Sequence, residues 1–382
     1  MIYLDNNSTT PLLPEVLDAM LPCFTESFGN PSSIHNGGRR ALFHVKEARQ
    51  EVAGLLGCQA SEIVFTSGGT ESDNLALKGM VNPGDHLIVS AIEHSAILVA
   101  CTWLEKHGCE VTRVGVNGLG QVEPDSIRAA LKPNTRLISV MMANNETGVL
   151  QPVEEIGRIA AEADIWFHTD AVQAAGKVPV SVNRIGCDLL TLSAHKLHGP
   201  QGIGALFVRA GTPLRPQLHG GHQEKRRRPG TENVPGIAGL GRACLMAKAG
   251  MTNGSVDRIA ALRDRLEDAL TSLIPDTRIN GRRAARVANT TNILFENVGG
   301  DALVLALDEL GIAASRGSAC SAGAADPSSV LMAMGLNGQQ SRSSLRFSLG
   351  KQNTADEIEN TISATPGAVA RLRAKSAVFW SA

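Results

Sequence analysis

The chain has 382 residues, 43% of them hydrophobic and 19% charged, which is typical of a globular protein with a large core and room for a smaller one. A formal net charge of -1 gives no reason to expect binding to nucleic acid or to an anionic membrane. No apolar stretch approaches the ~18 residues of a membrane span, and the polar N-terminus is unlike a signal peptide. Seven cysteines, an odd number without Cys-x-x-Cys spacing, indicate a reduced, cytoplasmic protein.

Short apolar runs alternate with helical patterns over the first two thirds of the chain. This rhythm is typical of βαβ units and predicts an α/β fold whose largely parallel sheet is covered on both faces. Residues 152–163 form one of the predicted helices. The predicted strands lie at 62–67, 86–91, 110–116, 136–143, 165–171, 189–194 and 204–210.

The pattern changes near residue 255. A helical spacing at 255–274 is followed by apolar segments at 291–298, 302–312 and 343–350. We therefore expect a second, α+β region with its own small core. The one basic run, 225–228, is short and favours a solvated loop or a subunit contact over a polyanion site.

Lys196 follows an apolar run and precedes a Gly-Pro turn, where a buried strand end tolerates lysine poorly. One interpretation is a surface lysine that extends to solvent. The other is a Schiff-base lysine, whose amine becomes nucleophilic because partial burial lowers its pKa. That chemistry needs an aldehyde cofactor, an acid partner and a phosphate site. The chain offers candidates for the acid partner and for the phosphate site.

The segment 65–79 offers the phosphate site. A predicted strand runs into Gly69 and Thr70 and then into a helical pattern, and free N–H groups at a helix N-terminus bind anions. A plain βα turn with Thr70 as N-cap explains the same residues. Ser193 and His195 add two hydrogen-bond donors beside the lysine, and the combination suits one phosphate group.

Asp170 ends another predicted strand, where an aspartate usually caps the next helix. The alternative is a carboxylate that pairs with the protonated pyridine nitrogen of pyridoxal phosphate (PLP). Gln173, three residues on, is placed to reach the ring oxygen. His94 also ends a strand, either as a core histidine or as a group that stacks on a planar ring and moves protons near neutral pH.

Two further residues stand out by their surroundings. Cys320 lies among Gly, Ser and Ala, either as an incidental loop thiol or as a nucleophile that a mobile loop carries into a pocket formed elsewhere. Arg346 is a single arginine in a strand-like run, where it either extends to solvent or clamps a carboxylate. The pairs His195/His198 and His219/His222 lack further ligands at finger-like spacing, so no metal site is expected.

Taken together, these residues resemble the NifS/IscS-type cysteine desulfurases of the class-V aminotransferase group. The similarity covers essentially the whole chain and keeps the family's motif order. The matching motifs are "YLDNNSTTP" (3–11), "GNPSSIH" (29–35), "TSGGTESDN", "EHSAIL", "NNETG" (144–148), "HTDAVQ", "SAHKLHGPQGIGAL", "RRPGTEN" (227–233), "GSACS" (317–321) and "RFSLG".

The resemblance implies a homodimer of PLP fold type I. Its large domain, expected at 14–255, carries a mostly parallel seven-stranded sheet, and its smaller α+β domain combines 1–13 with 256–382 and bears a mobile catalytic-cysteine loop. Lys196 would hold PLP as a Schiff base and Cys320 would accept sulfur. The phosphate of PLP would be bound by Gly69, Thr70, Ser193 and His195, and Thr231 would reach the phosphate of the partner subunit. Asp170 would pair with the ring nitrogen and Gln173 with the ring oxygen, while His94 would stack on the ring and transfer protons. Asn145 and Arg346 would bind the substrate carboxylate.

The implied reaction removes sulfur from L-cysteine to give L-alanine and a persulfide on Cys320, which passes to an acceptor such as an iron–sulfur scaffold or a thiolation pathway. Alternatives are another class-V PLP enzyme, such as a selenocysteine or cystine lyase or an aminotransferase, and a non-catalytic binding subunit. A transaminase has no use for the thiol in "GSACS". Arg316, Pro229 and the short C-terminus depart from the family pattern, which leaves the acceptor open.

Overall fold

The structure is a computed structural model that describes residues 1–317 and 326–379. Its strands are β1 (Ile2–Tyr3), β2 (Ile63–Thr66), β3 (His86–Ser90), β4 (Glu110–Val114), β5 (Thr135–Ser139), β6 (Trp166–Asp170), β7 (Leu189–Ser193), β8 (Gly204–Val208), β9 (Thr277–Ile279), β10 (Thr290–Phe295), β11 (Ile312–Ala313) and β12 (Ser344–Ser348).

The helices alternate with these strands. They are α1 (Pro14–Met20), α2 (Pro22–Thr25), α3 (Asn36–Leu56), α4 (Gly69–Met80), α5 (Ser95–Lys106), α6 (Pro124–Ala130), α7 (Val153–Glu162), α8 (Val182–Ile185), α9 (Val234–Gly250), α10 (Ser255–Leu273), α11 (Gly300–Asp308), α12 (Ser329–Ala333), α13 (Gly338–Arg342) and α14 (Ala355–Phe379). None of the helices in this part of the chain is both long and apolar enough to cross a bilayer.

In the described part of the chain, a seven-stranded sheet has the order β2-β8-β7-β6-β5-β3-β4. All seven strands predicted from the sequence are present, and the predicted mostly parallel sheet is confirmed. Only β8 runs antiparallel to its neighbours β2 and β7. The segment 194–203 that joins β7 to β8 is too short for the crossover that a parallel pair needs.

Helices cover both faces of this sheet, which explains the continuous apolar runs of its strands. On one face, α3, α7 and α9 pack over Leu190, Leu192 and Phe207. On the other face, α4 and α5 pack over Leu206 and Val208. Alternate residues of β8 therefore enter different cores, as the period of two in a strand requires.

A second cluster of buried apolar residues lies in the C-terminal part of the chain. Strands β12, β10 and β9 form an antiparallel sheet that packs with α10, α11 and α14. Leu4 joins this core because β1 pairs with β11. The domain boundary near residue 255 stays a prediction, and α10 begins at Ser255.

The carboxyl ends of several strands meet at one edge of the large sheet. Asp170 and Ser193 end β6 and β7 there. The N-terminal segment crosses this edge, because Asp5 bridges to Ser348 of β12 and the Thr10 amide donates to the His195 carbonyl. One cleft thus receives side chains from the large sheet, the N-terminal segment and β12.

Candidate active site

A cavity of about 230 Å³ lies in this cleft. Among the predicted site residues that the structure describes, all except Thr231 line it. Its lining consists of Asn7, Ser8, Gly69, Thr70, Asp73, His94, Met141, Asn145, Asp170, Val172, Gln173, Ser193, His195, Lys196 and Arg346.

Lys196 points its amine at the N-terminal segment. It ends a single 3-10 turn, Ala194–Lys196, directly after β7. Its Nζ donates to the carbonyl oxygens of Asn7 at 2.7 Å and Ser8 at 2.5 Å. Main-chain acceptors therefore hold the amine inside the cavity. The interpretation of Lys196 as a surface lysine that extends to solvent is wrong.

The start of α4 forms one wall of the cavity. The helix begins at Gly69 with Gly68 as its N-cap, so the interpretation of Thr70 as the cap is wrong; Thr70 is the second helical residue. The first amides of a helix have no intrahelical acceptor and suit an anion. A Cβ added to Gly69 would lie 3.2 Å from Val172 Cγ2 and 3.6 Å from Ser193 Cβ, so the glycine keeps this wall open.

His195 lies beside that wall. Its Nδ1 is 3.1 Å from the Thr9 hydroxyl oxygen. Burial and, to a smaller extent, the positive charge of Lys196 together lower the pKa of His195 to about 4. The imidazole is therefore neutral at neutral pH and offers one N–H donor.

Asp170 lies at the end of β6, almost fully buried. The segment after it consists of turns, so the alternative role as a helix cap is wrong; Oδ1 instead accepts the Val172 amide at 2.8 Å. Burial raises the pKa of Asp170 to about 6, while the Val172 amide and the charge of Lys196 oppose that rise. The carboxyl is ionised at neutral pH and faces the cavity as a buried anion.

His94 caps α5 with its side chain, since Nδ1 accepts the Ala96 amide at 3.2 Å. Burial lowers the pKa of His94, and the charge of Lys196 lowers it further. A neutral imidazole whose Nδ1 accepts carries its proton on Nε2. The cap thus fixes the ring and leaves Nε2 as a donor of a proton.

Arg346 reaches the cavity from β12 and is almost fully buried. Its Nη2 donates to Asp5 Oδ1 and to the Ser8 hydroxyl, both at 2.7 Å, and Nη1 donates to the Asn145 carbonyl at 2.9 Å. Its Nε has no hydrogen-bond partner within the described ranges. The buried arginine is therefore held by a carboxylate of the chain itself while it also lines the cavity.

Asp170 belongs to an acidic cluster whose other members are not predicted from the sequence. The cluster comprises Asp73, Glu93 and Asp170 next to His168, whose Nε2 is 3.7 Å from Asp73 Oδ1. Asp73 Oδ1 and Glu93 Oε2 are buried without a hydrogen-bond partner in the described part of the chain. Burial raises the pKa of Glu93 to about 8 and that of Asp73 well above its usual range. Asp170 is therefore the member of this cluster that ionises most readily.

A sequence signal for this cluster exists. Asp73 lies on the face of α4 that also carries the buried Leu77 and Met80, and a charged residue on an apolar helical face is rarely accidental. His168 precedes Asp170 by two residues, so both share one face of β6. Asn7 and Ser8 carry no such signal, because only the fold brings them to Lys196.

One predicted residue within the described ranges does not line the cavity. Thr231 is exposed in the loop before α9. Cys320 lies outside the described residues, as does the rest of 318–325. The basic run 225–228 is partly committed to contacts within the chain, since Arg228 pairs with Glu71.

The six cysteines that the structure describes are free thiols, and all except the half-buried Cys58 are buried. Burial raises the pKa of each, to about 12 for Cys58 and Cys101. Such thiols are poor nucleophiles. Within the same ranges, no group of three or more His, Cys, Asp or Glu residues is arranged to hold a metal ion.

Comparison with known proteins gives consistent matches over nearly the full chain. The profile of the family "Aminotransferase class-V" matches residues 2–361. A protein of Methanosarcina thermophila named cysteine desulfurase IscS is 48% identical over 376 residues, covering 97% of this chain and 93% of that protein. Cysteine desulfurase 2 of Trichormus variabilis is 49% identical, covering 98% of this chain and 95% of its own length. A solved structure titled NifS-like protein superposes with a TM-score of 0.90 at 35% identity, covering 97% of this chain and all of that one.

Proposed function

This chain belongs to the class-V aminotransferase family, where it is a cysteine desulfurase, and we propose that the cavity at the carboxyl edge of its large sheet is the active site for that reaction. One observation carries the assignment of the site. A lysine amine, a buried carboxylate and a helix N-terminus, which are the three features that PLP requires, line the same cavity.

The residues present fit PLP by their chemistry. The amides at the start of α4, with Thr70, Ser193 and His195, form the donor set for the phosphate. Asp170 would hold the proton of the ring nitrogen, and Lys196 would bind the aldehyde. When bound, PLP draws electrons away from the carbon that carries the substrate's amino group.

The chain's own residues would then position cysteine and move its protons. Asn145 and Arg346 would bind the substrate carboxylate at the edge of the cavity nearest β12. The Lys196 amine would move the proton of the substrate's α-carbon. His94, whose proton lies on Nε2, would supply a proton to the product.

Cys320 is proposed as the sulfur acceptor. Its thiolate forms an S–S bond to the sulfur of cysteine while the C–S bond breaks, and a proton replaces sulfur on the carbon. L-cysteine and the enzyme thiol thus become L-alanine and an enzyme persulfide, with all atoms accounted for. The raised pKa values of the six described cysteines support this choice, because none of them is disposed to form a thiolate near neutral pH.

We also propose a homodimer that passes sulfur on to an acceptor protein, such as an iron–sulfur scaffold, inside the cell. Thr231 is exposed and is proposed to reach the phosphate in the partner's site. Exposed apolar side chains between α1 and the first half of α3 support a subunit contact, because large exposed apolar patches often mark an interface. These side chains are Leu17, Leu21, Phe24, Phe28, Ile34 and Phe43.

An assay of alanine and sulfide release from cysteine, with and without a thiol reductant, tests this function. Release of both products in a 1:1 ratio when reductant is present is expected, since the reductant discharges the persulfide. Release of pyruvate and ammonia, or of alanine without sulfide, would contradict it.

A further inference from the structure

The side-chain amide of Gln173 is held at both ends. Lys177 Nζ donates to Gln173 Oε1 at 2.7 Å, and Gln173 Nε2 donates to the Asn7 carbonyl oxygen at 3.0 Å. Gln173 is almost fully buried and lines the cavity. The orientation of this amide decides whether the cavity meets a donor or an acceptor.

The two contacts impose the same orientation. A main-chain carbonyl can only accept, so Asn7 requires the NH2 group of Gln173. Lys177 Nζ also donates to Asn7 Oδ1 at 3.0 Å. Burial lowers the pKa of Lys177, helped by the charges of Lys196 and Arg346, yet either protonation state leaves two N–H groups for its two acceptors. A reversed amide would lose the hydrogen bond to the Asn7 carbonyl in either state, and that to Lys177 as well while the amine is protonated.

Asn7 is itself fixed. Its Nδ2 donates to the Asn145 carbonyl at 3.1 Å and to the Thr290 hydroxyl at 2.8 Å, and its Oδ1 accepts from Asn289 Nδ2 at 3.1 Å. These contacts join the N-terminal segment to both parts of the fold. Asn7 therefore offers Gln173 and Lys177 acceptors that cannot easily turn away.

The Nε2 group of Gln173 has two hydrogens, and Asn7 takes one. Because Gln173 lines the cavity, the second is available to a ligand there. We propose that Lys177 and Asn7 are positioning residues that hold Gln173 as a donor to the ring oxygen of the cofactor. This inference rests on the proposed function, since it concerns how that same site recognises PLP.

The test compares PLP binding by cofactor-free proteins, followed by visible absorbance. In Lys177→Met the amide loses the donor that holds Oε1, so we expect the Kd for PLP to rise on the order of tenfold and the visible band to shift. Lys177→Arg keeps a donor and should restore both toward the wild-type values. Lys351→Met is the matched control, because Lys351 lines the same neighbouring cavity as Lys177 but donates to the Met246 carbonyl instead.

A second background separates positioning from a general structural role. In Gln173→Met, adding Lys177→Met should change neither the Kd nor the band, because the amide to be oriented is gone. Wild-type affinity and spectrum in Lys177→Met would overturn the proposal, and so would an equal effect in both backgrounds. If Lys177→Met does not fold, as shown by thermal melting, Lys177→Ala replaces it as the variant without a donor and Lys177→Gln serves as the variant that keeps one. A wild-type band with Lys177→Gln but not with Lys177→Ala is then the expected result. A wild-type protein that binds no PLP would instead refute the proposed function.

Discussion

Arg346 Nη2 donates to Asp5 Oδ1 at 2.7 Å, and this pair joins β12 to the N-terminal segment across the cavity edge. The side chain of Arg346 is only 2% exposed and that of Asp5 20%. Removal of the carboxylate would leave a buried guanidinium without its counter-charge, which is costly. The pair therefore stabilises the fold while it positions a proposed substrate-binding residue.

We expect Asp5→Ala to lower the free energy of unfolding by about 3 kcal/mol. This value is at the lower end of the cost of removing one partner of a buried ion pair, because Asp5 is partly exposed. Urea denaturation of the cofactor-free protein measures this. Glu359→Ala, which breaks the exposed pair with Arg265, is the control and should leave the unfolding midpoint unchanged. Equal effects of the two substitutions would contradict the account.

Glu93 should make stability depend on pH. Its folded pKa of about 8 lies above the ordinary value of 4.5, so the folded state binds a proton that the unfolded state has released. This contribution is fully present below about pH 4.5 and is lost as the pH rises to about 8. The side chain of Glu93→Gln stays neutral throughout. The free energy of unfolding of this variant should therefore rise relative to that of the wild type by ~1.4 kcal/mol for each unit of rising pH in that window.

Denaturant unfolding of cofactor-free wild type and Glu93→Gln at several pH values between 5 and 8 checks this expectation, with the exposed Glu162→Gln as control. Parallel stability curves for wild type and Glu93→Gln would show that Glu93 ionises normally in the folded protein.

His94 is expected to matter for proton transfer and not for folding. In His94→Asn, the amide oxygen can still cap α5, because Asn is a good N-cap residue. The melting temperature should therefore stay close to that of the wild type, while alanine release falls by roughly 10²–10⁴-fold for lack of a proton donor. Near-normal turnover by a folded His94→Asn protein would remove His94 from the mechanism.

Lys196 should be the point of covalent attachment for PLP. Borohydride reduction of the wild-type protein with PLP is expected to fix the cofactor to the peptide that contains Lys196. Lys196→Ala should show no fixed cofactor, while Lys351→Ala keeps it. Cofactor fixed in Lys196→Ala, or fixed to another lysine of the wild type, would refute the assignment.

The sequence predicts what local pattern controls. Asp170 and Lys196 are predictable because each lies at the end of an apolar run, and parallel strands bring their carboxyl ends to one edge. The role of Asn7 is not predictable from local sequence, because its contact with Lys196 spans 189 residues and depends on how the N-terminal segment crosses the sheet. The N-cap of α4 lies two residues before the Thr70 that composition favours, because Gly68 caps the helix.

The central claim is that sulfur leaves cysteine on the thiol of Cys320. The most direct measurement is mass spectrometry of the PLP-loaded enzyme after a brief reaction with L-cysteine without reductant, followed by digestion. We predict one added sulfur on the peptide that contains Cys320, removable by reductant and absent from the peptides of the other six cysteines. Added sulfur on a different cysteine, or undiminished alanine release by Cys320→Ser, would contradict the account.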